Sequence, residues 1–301
     1  MGVGIVSAGR VGAVLGNVLR AAGHQITGVV AVSEASRERA EMLLPGVPIL
    51  DTATVVQRSE LVILAVPDDH LGPLAAGIAA AGVAPGNQIF AHTSGRYGIE
   101  VLEPLARAGA ITLAMHPAMT FTGTSLDLGR LIGCPWAVTA QPMFLPIAKA
   151  LVVELEGESV DVAEADRSAY HLALAHGSNH LVVLVNQVLD ILSQIGVSDP
   201  ARLAGPLLTA ALEEALRTGP RALTGPVKRG DAGTVGAHLD ALADLRAPTT
   251  EAAYRALAAG ALELAGLAEA EREAIAALLG AAPSTRAPES DLSPASEDGD
   301  A

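Results

Sequence analysis

The chain has 301 residues, half of them apolar, with 19 basic and 33 acidic side chains and a formal charge of −14. That length allows two domains and a sizeable core, built mainly of Ala, Val and Leu because only seven residues are aromatic. Strong acidity without a basic run argues against nucleic acid as a partner.

The first stretch, Val3-Gly4-Ile5-Val6-Ser7-Ala8-Gly9-Arg10-Val11-Gly12, reads as a strand over 3–7, a tight turn at 7–9 and a helix over 10–22 closed by Gly23. This is the layout of the dinucleotide fingerprint G-x-G-x-x-G with Ser7 in the place of the first glycine. Gly9 would let the backbone approach a pyrophosphate, Gly12 would let helix and strand pack closely, and the free N–H groups around Ala8, Arg10 and Val11 would hold phosphates. A structural turn is the competing reading. A second strand is expected over 27–32. Its end decides between the two nicotinamide cofactors: an acidic residue there bonds the ribose of NAD. Here stand Ser33, Glu34, Ala35, Ser36 and Arg37. Ser33 and Ser36 can donate to a 2′-phosphate and Arg37 can pair with it, which favours NADP. Glu34 keeps NAD open, and capping of the next helix by Ser33 or Ser36 explains the same residues without a ligand.

A helix is expected over 36–44, a short strand over 47–50 and a short helix over 52–58. Leu61-Val62-Ile63-Leu64-Ala65-Val66 is apolar throughout, as buried parallel strands are, and ends in Val66-Pro67-Asp68-Asp69-His70 at the edge where such sheets bind ligands. A helix over 71–81 follows, then a strand over 88–91 ending in His92-Thr93-Ser94-Gly95, a helix near 98–108 and a strand over 111–115 ending in His116-Pro117. A strand over 136–139, a helix over 143–156 and a strand over 159–162 close this half. Alternation of this kind predicts a doubly wound α/β sheet. After residue 162 only helices are expected: one long one over 164–195, then 200–218, 232–246, 249–260 and 268–279. The Pro-, Ser- and acid-rich end, 283–301, cannot bury enough to fold.

Cys134 is the only cysteine, so no internal disulfide forms and a reducing, cytoplasmic setting is expected; Gly133-Cys134-Pro135-Trp136 reads as a small buried residue. No basic-then-apolar leader stands before the first strand, and the most apolar long run is broken by Asn186, Gln187 and Asp190. Neither a signal peptide nor a membrane partner is expected.

A Rossmann domain followed by one long helix and a helical domain resembles the 6-phosphogluconate-dehydrogenase-like superfamily. Within it, Ala65-Val66-Pro67-Asp68, His92-x-Ser94-Gly95, His116-Pro117 and Thr224-Gly225-Pro226-x-x-Arg229-Gly230-Asp231 resemble a bacterial family that joins a Rossmann-like domain to an uncharacterised helical domain. The resemblance implies a dinucleotide-binding domain over 1–162, a helical substrate and dimerisation domain over 163–282 and a disordered acidic tail over 283–301. It implies a homodimer paired through the helices. Ser94 and His116 are also similar to a Ser and a His-Pro turn of prephenate dehydrogenase.

Chemistry is expected from a few residues. His116, at a strand end, is the candidate general acid or base, because histidine titrates near neutrality; a histidine bonding its own loop is the alternative. Ser94 would orient it or cap the turn at Gly95. On the long helix Gly177 weakens the helix by about 1 kcal/mol relative to Ala, which a close ligand would explain, and Asn179 is the candidate orienting group. Superfamily hydroxyacid dehydrogenases place a Lys before that Asn; none stands here. His176 and His180 have metal-ligand spacing but no third ligand, so no metal is expected. Arg229 would clamp a substrate carboxylate with Asp231 behind it, unless Asp231 caps the next helix. Taken together, the residues point to an NADP-dependent oxidoreductase for a small carboxylate-bearing substrate. The alternative is an NADP-binding regulatory or scaffold protein without turnover.

Overall fold

The computed structural model describes residues 1–84 and 86–280, so the expected tail lies outside the described residues. The chain divides into two compact units, Met1–His180 and Leu181–Ala301.

The first unit alternates strands and helices: β1 (Gly2–Val6), α1 (Arg10–Ala21), β2 (Gln25–Val30), α2 (Glu34–Leu43), α3 (Thr52–Gln57), β3 (Leu61–Leu64), α4 (Asp68–Ala81), β4 (Ile89–His92), α5 (Glu103–Arg107), β5 (Ile111–Pro117), α6 (Leu126–Leu131), β6 (Pro135–Ala140), α7 (Leu145–Glu154) and β7 (Glu158–Asp161). They form one seven-stranded sheet in the order β2-β1-β3-β4-β5-β6-β7. The first five strands in that order run parallel; β6 is antiparallel to β5, and β7 is parallel to β6. Successive side chains of a strand point to opposite faces. Val3, Ile5, Leu61 and Ile63 therefore join α1 and α7 in one core, while Val6, Val62, Leu64 and Phe90 join α3, α4 and α5 in the other. Helices on both faces explain why β3 is apolar without alternation.

Two local expectations change, and one helix forms where none was read. No strand forms over 47–50; a single bridge joins Val29 to Ile49, because Pro48 has no N–H to extend a ladder. The helix near 98–108 is a 3₁₀ turn, Glu100–Leu102, running into the short α5. The stretch before Cys134 contains α6, anchored by the fully buried Asp127, whose carboxylate accepts from the Thr122 and Gly123 amides and the Thr122 hydroxyl.

The long helix α8 (Arg167–Gln194) begins in the first unit and ends in the second. The second unit adds α9 (Pro200–Thr218), α10 (Ala232–Asp244), α11 (Pro248–Ala265) and α12 (Glu269–Leu279). Asp199 starts α9 by accepting from the Arg202 amide. α11 continues through Gly260, where sequence suggested an end; Ala258, Leu262 and Ala265 are buried on either side of it, and that burial outweighs the roughly 1 kcal/mol a mid-helix glycine costs. The unit's core is small: Val227, Val235, Ala258, Leu262, Ile275 and Leu279. Among the described residues, no helix is long and apolar enough to cross a membrane.

Candidate functional site

The fingerprint turn is built by backbone constraint. β1 delivers the chain to Ser7, which sits at φ +84° in the left-handed region, and α1 starts three residues later. A Cβ on Gly12 would collide with the Ser7 carbonyl oxygen and lie 3.0 Å from the Ala65 Cβ. Only glycine therefore lets α1 rest against β1. No side chain caps α1 at Gly9 and no acidic residue occupies its first turn, so its leading N–H groups face outward with the positive end of the helix dipole. Such a terminus suits a phosphate.

Beside this turn lies a cleft of ≈ 960 Å³. Ser7, Gly9, Ser33, Ser36, Val66 and Pro67 line it, together with Arg39, Asp69 and His70. Ala8 is fully buried below it, its amide donating to the Val30 carbonyl. Val11 packs on the sheet core, and Arg10 is exposed at the start of α1. The cleft, the uncapped helix and the glycine turn fit a dinucleotide.

The end of β2 differs from expectation in one residue. Ser33 is the N-cap of α2, its Oγ accepting from the Ser36 amide, and Ser36 Oγ donates back to the Ser33 carbonyl. Arg37 is exposed and does not line the cleft; α2 turns Arg39 toward it instead, where Nη1 donates to the Ala8 carbonyl at 3.0 Å. The arginine of α2 that lines the cleft is thus Arg39, two positions on.

The ends of β4 and β5 carry the second cluster. His92 is fully buried; its Nδ1 accepts from the Ser94 amide and its Nε2 lies 2.7 Å from the Gly98 carbonyl. Those partners require Nε2–H and a neutral ring, and burial pushes its pKa down to about 4. Ser94 Oγ accepts from the Arg96 and Tyr97 amides, so it caps a turn, as its alternative reading held. Gly95 lies against His116: a Cβ there would be 3.0 Å from the imidazole Nε2. On the other side, His116 Nδ1 is 2.8 Å from the Tyr170 hydroxyl. Burial first, then the Arg167 and His171 charges, holds His116 at about 4, against a smaller upward pull from Asp68.

Sequence reasoning missed Tyr170 and Arg167. Tyr170 carried a faint signal, being one of three tyrosines beside a histidine on the long helix. Arg167 carried none, since an arginine opening a helix reads as solvated; here it is 1 % exposed, with Nε donating to Thr139 Oγ1 and Nη2 to the Ala114 and Ala137 carbonyls.

Other expected site residues are placed elsewhere. Asn179 is exposed and follows Tyr170 on α8 by nine residues, about 13 Å of helix, so it does not join His116. His176 and His180 pair with each other, Nδ1 to Nδ1 at 2.8 Å. Arg229 belongs to the second unit and is exposed. Asp231 does not grip it: its carboxylate caps α10 by accepting from the Thr234 amide and hydroxyl, which hold it below the usual carboxylate range. Lys228 donates to the Ala265 carbonyl at the end of α11. The second unit also holds an apolar pocket of ≈ 470 Å³ beside a His238–Tyr254 pair at 3.0 Å.

Residues 1–117 match the Rossmann-like domain, and residues 134–261 match a domain of unknown function, DUF2520. The chain thus joins a Rossmann-like domain to a DUF2520 domain. No curated protein matches it by sequence. Among solved structures it is similar to a Bacteroides fragilis protein assigned by name as an NADP oxidoreductase: TM-score 0.74, 22 % identity, covering 87 % of this chain and 98 % of that one. Protein TM1727 from Thermotoga maritima aligns at TM-score 0.64 and 22 % identity over 90 % and 99 % of the two chains. An imine reductase from Myxococcus stipitatus, solved with NADP+, aligns at TM-score 0.62 and 18 % identity over 92 % and 95 %. At these identities the likeness is one of fold: a Rossmann sheet followed by an all-helical region.

Proposed function

We propose that the protein is an NADP-dependent oxidoreductase that reduces or oxidises a small carboxylate-bearing substrate by hydride transfer. The observation that carries this reading is the juxtaposition, within the first unit, of an uncapped glycine turn on a dinucleotide-sized cleft and the His116–Tyr170 pair at the same strand edge. A nicotinamide dinucleotide supplies the hydride when bound. Ser7, Gly9 and the leading amides of α1 hold its pyrophosphate, and Ser33, Ser36 and Arg39 its ribose 2′-phosphate. His116 serves as acid and base, and the turn capped by Ser94 holds Gly95 against its ring. Residues 1–162 bind cofactor, and 163–282 carry substrate specificity and pair two chains. Arg229 is the clamp proposed for a substrate carboxylate. The neighbours named for NADP oxidoreduction and imine reduction support this class of chemistry.

Fluorescence titration of NADPH and NADH tests the cofactor assignment. NADPH should bind at least about tenfold tighter, roughly 1.4 kcal/mol. Arg39→Ala should remove most of that preference and Arg37→Ala little of it. Equal affinities in the native protein would overturn the NADP assignment. For turnover, a screen of 2-oxo acids and cyclic imines with NADPH oxidation as readout is the direct test. On any probe that turns over, His116→Asn should lower kcat by ~10²–10⁴ and leave NADPH binding nearly intact. Dinucleotide binding without turnover is the second reading; the placement of Asn179 away from His116 favours it, and normal turnover by His116→Asn would turn the histidine into a structural residue.

A further inference from the structure

Arg167 is the feature that the site described so far does not use. Its side chain is buried on the sheet, anchored to Thr139 Oγ1 and to the carbonyls of Ala114 and Ala137, yet its Nη1 is buried with no partner among the described residues. No carboxylate lies within ion-pair distance of it among those residues. Helix anchoring alone needs donors and not a charge. A buried cation without a paired counter-ion is expensive: burial pushes its pKa down, and Tyr170 and the more distant Glu164 carboxylate pull it back only in part. The Tyr170 ring lies beside it, with its centroid 5.9 Å from the guanidinium carbon. The Tyr170 hydroxyl in turn lies 2.8 Å from His116 Nδ1. Cation, phenol and imidazole thus form one chain inside the first unit.

We propose that Tyr170 is the proton donor of this site, with its phenolate as the counter-ion that Arg167 lacks at rest and His116 as the group that restores the proton. The assignment rests on the oxidoreductase reading and makes Tyr170 the group that touches the reacting heteroatom, so that His116 acts as acid and base through the Tyr170 hydroxyl and not on the substrate itself. In the reductive direction the hydride brings its electron pair to the carbon of a C=O or C=N bond, and the π pair moves to the heteroatom. Tyr170 gives that atom its O–H proton. The O–H bond breaks and the heteroatom–H bond forms; a bound reduced nicotinamide would supply the electron pair and be oxidised in doing so. The phenolate then takes the Nδ1 proton of His116, which gains another from solvent at Nε2. Arg167 acts only through Tyr170 and is a positioning residue.

The charged and titratable groups around the pair are few. Arg167 lowers the Tyr170 pKa, while burial, the larger influence, and Cys134 raise it; His116 is faced by Arg167, His171 and Asp68. The test therefore reads the ionisation of Tyr170 directly. The chain has three tyrosines, Tyr97, Tyr170 and Tyr254. Biosynthetic replacement by difluorotyrosine, whose phenol ionises at lower pH, gives three fluorine resonances, with Tyr170 assigned by its loss in Tyr170→Phe. The titration is run twice, with NADP+ bound and with NADPH bound, saturation being checked by NADPH fluorescence and by its displacement. A tyrosine at the reacting ring senses the positive charge of the oxidised form. Its midpoint should fall by about 1 pH unit with NADP+ relative to NADPH, the low end of what a nearby opposite charge produces. Tyr97 and Tyr254 should not move. Arg167→Met should raise the Tyr170 midpoint by about as much in both states; should that variant fail to fold, the cofactor comparison on the native chain still decides. A Tyr170 midpoint identical with both cofactors bound overturns the assignment and leaves the oxidoreductase reading standing. Failure of both dinucleotides to bind overturns that reading, and the assignment with it.

Discussion

The sheet unit and the helical unit dispose of their apolar side chains differently. In Met1–His180, β3 is buried along its whole length and β1 along all but its first residue, and each face of the sheet has its own core. In the second unit, α9 buries only Ala204, while Leu207 and Leu216 are 73 % and 81 % exposed. α8 is fully buried only at Arg167, its first residue. A parallel sheet with helices on both faces closes its own core. A set of helices carrying leucines on several sides cannot do so alone, and such surfaces mark interaction sites. The difference is the physical basis for proposing a dimer paired through the helices.

Hydrogen exchange measures that difference most directly. In dilute protein, amides of β1 and β3 should exchange on the order of a thousandfold more slowly than those of α9, a gap of about 4 kcal/mol in local opening. If a second copy covers the helices, protection of α9 should climb with protein concentration while that of β3 stays level. Equal protection of α9 and β3 in dilute solution would erase the contrast.

A smaller effect separates the units by pH. His92 is buried neutral in the sheet unit, with both ring nitrogens engaged. Its folded pKa, about 4, lies below the ordinary 6.5, so between these values the unfolded chain binds more protons than the folded one. Stability therefore rises with pH across this window and is lost as pH falls from 6.5 toward 4. For His92 the displacement corresponds to about 3 kcal/mol; His116 adds in the same direction. Urea unfolding followed by Trp136 fluorescence reports the sheet unit, where that residue is buried. A midpoint that stayed constant from pH 7 to pH 4.5 would show that His92 is protonated in the native state.

The fold was largely legible in the sequence, because apolar runs, alternation and glycine punctuation all act locally. β3 announces itself by composition, and α9 runs over 200–218 as read, since Asp199, Pro200 and the following Gly219 mark its ends. The antiparallel turn of β6 was not legible; strand direction depends on which neighbour a strand meets. Ser33 and Asp231 were readable as caps because capping is a three-residue relation. Arg39 and Arg37 differ by two positions on one helix, and sequence alone does not fix which one faces a cleft. Tyr170 meets His116 across 54 residues, a contact that only the tertiary fold creates.

The smallest effect belongs to Ser7, where a local rule is broken at the centre of the site. The fingerprint calls for glycine, and Ser7 nonetheless adopts φ +84°. A left-handed conformation costs an ordinary L-residue about 1–2 kcal/mol, whereas glycine's extra freedom in the unfolded chain takes back about 0.5–1 kcal/mol. Ser7→Gly should therefore stabilise the protein by about 0.5–1 kcal/mol, seen as a higher urea midpoint at unchanged slope. Backbone strain kept in a ligand cradle calls for a return, and here that return is the hydroxyl, which lies 3.3 Å from where a Cβ on Gly9 would stand. If the hydroxyl bonds the cofactor, Ser7→Gly should also weaken NADPH binding by about three- to tenfold, the worth of one hydrogen bond. Ser7→Ala should lose the same affinity without gaining stability, which separates the hydroxyl from the backbone. A glycine variant that is more stable and binds NADPH as tightly as before would remove Ser7 from the cofactor contacts and leave its strain without a function.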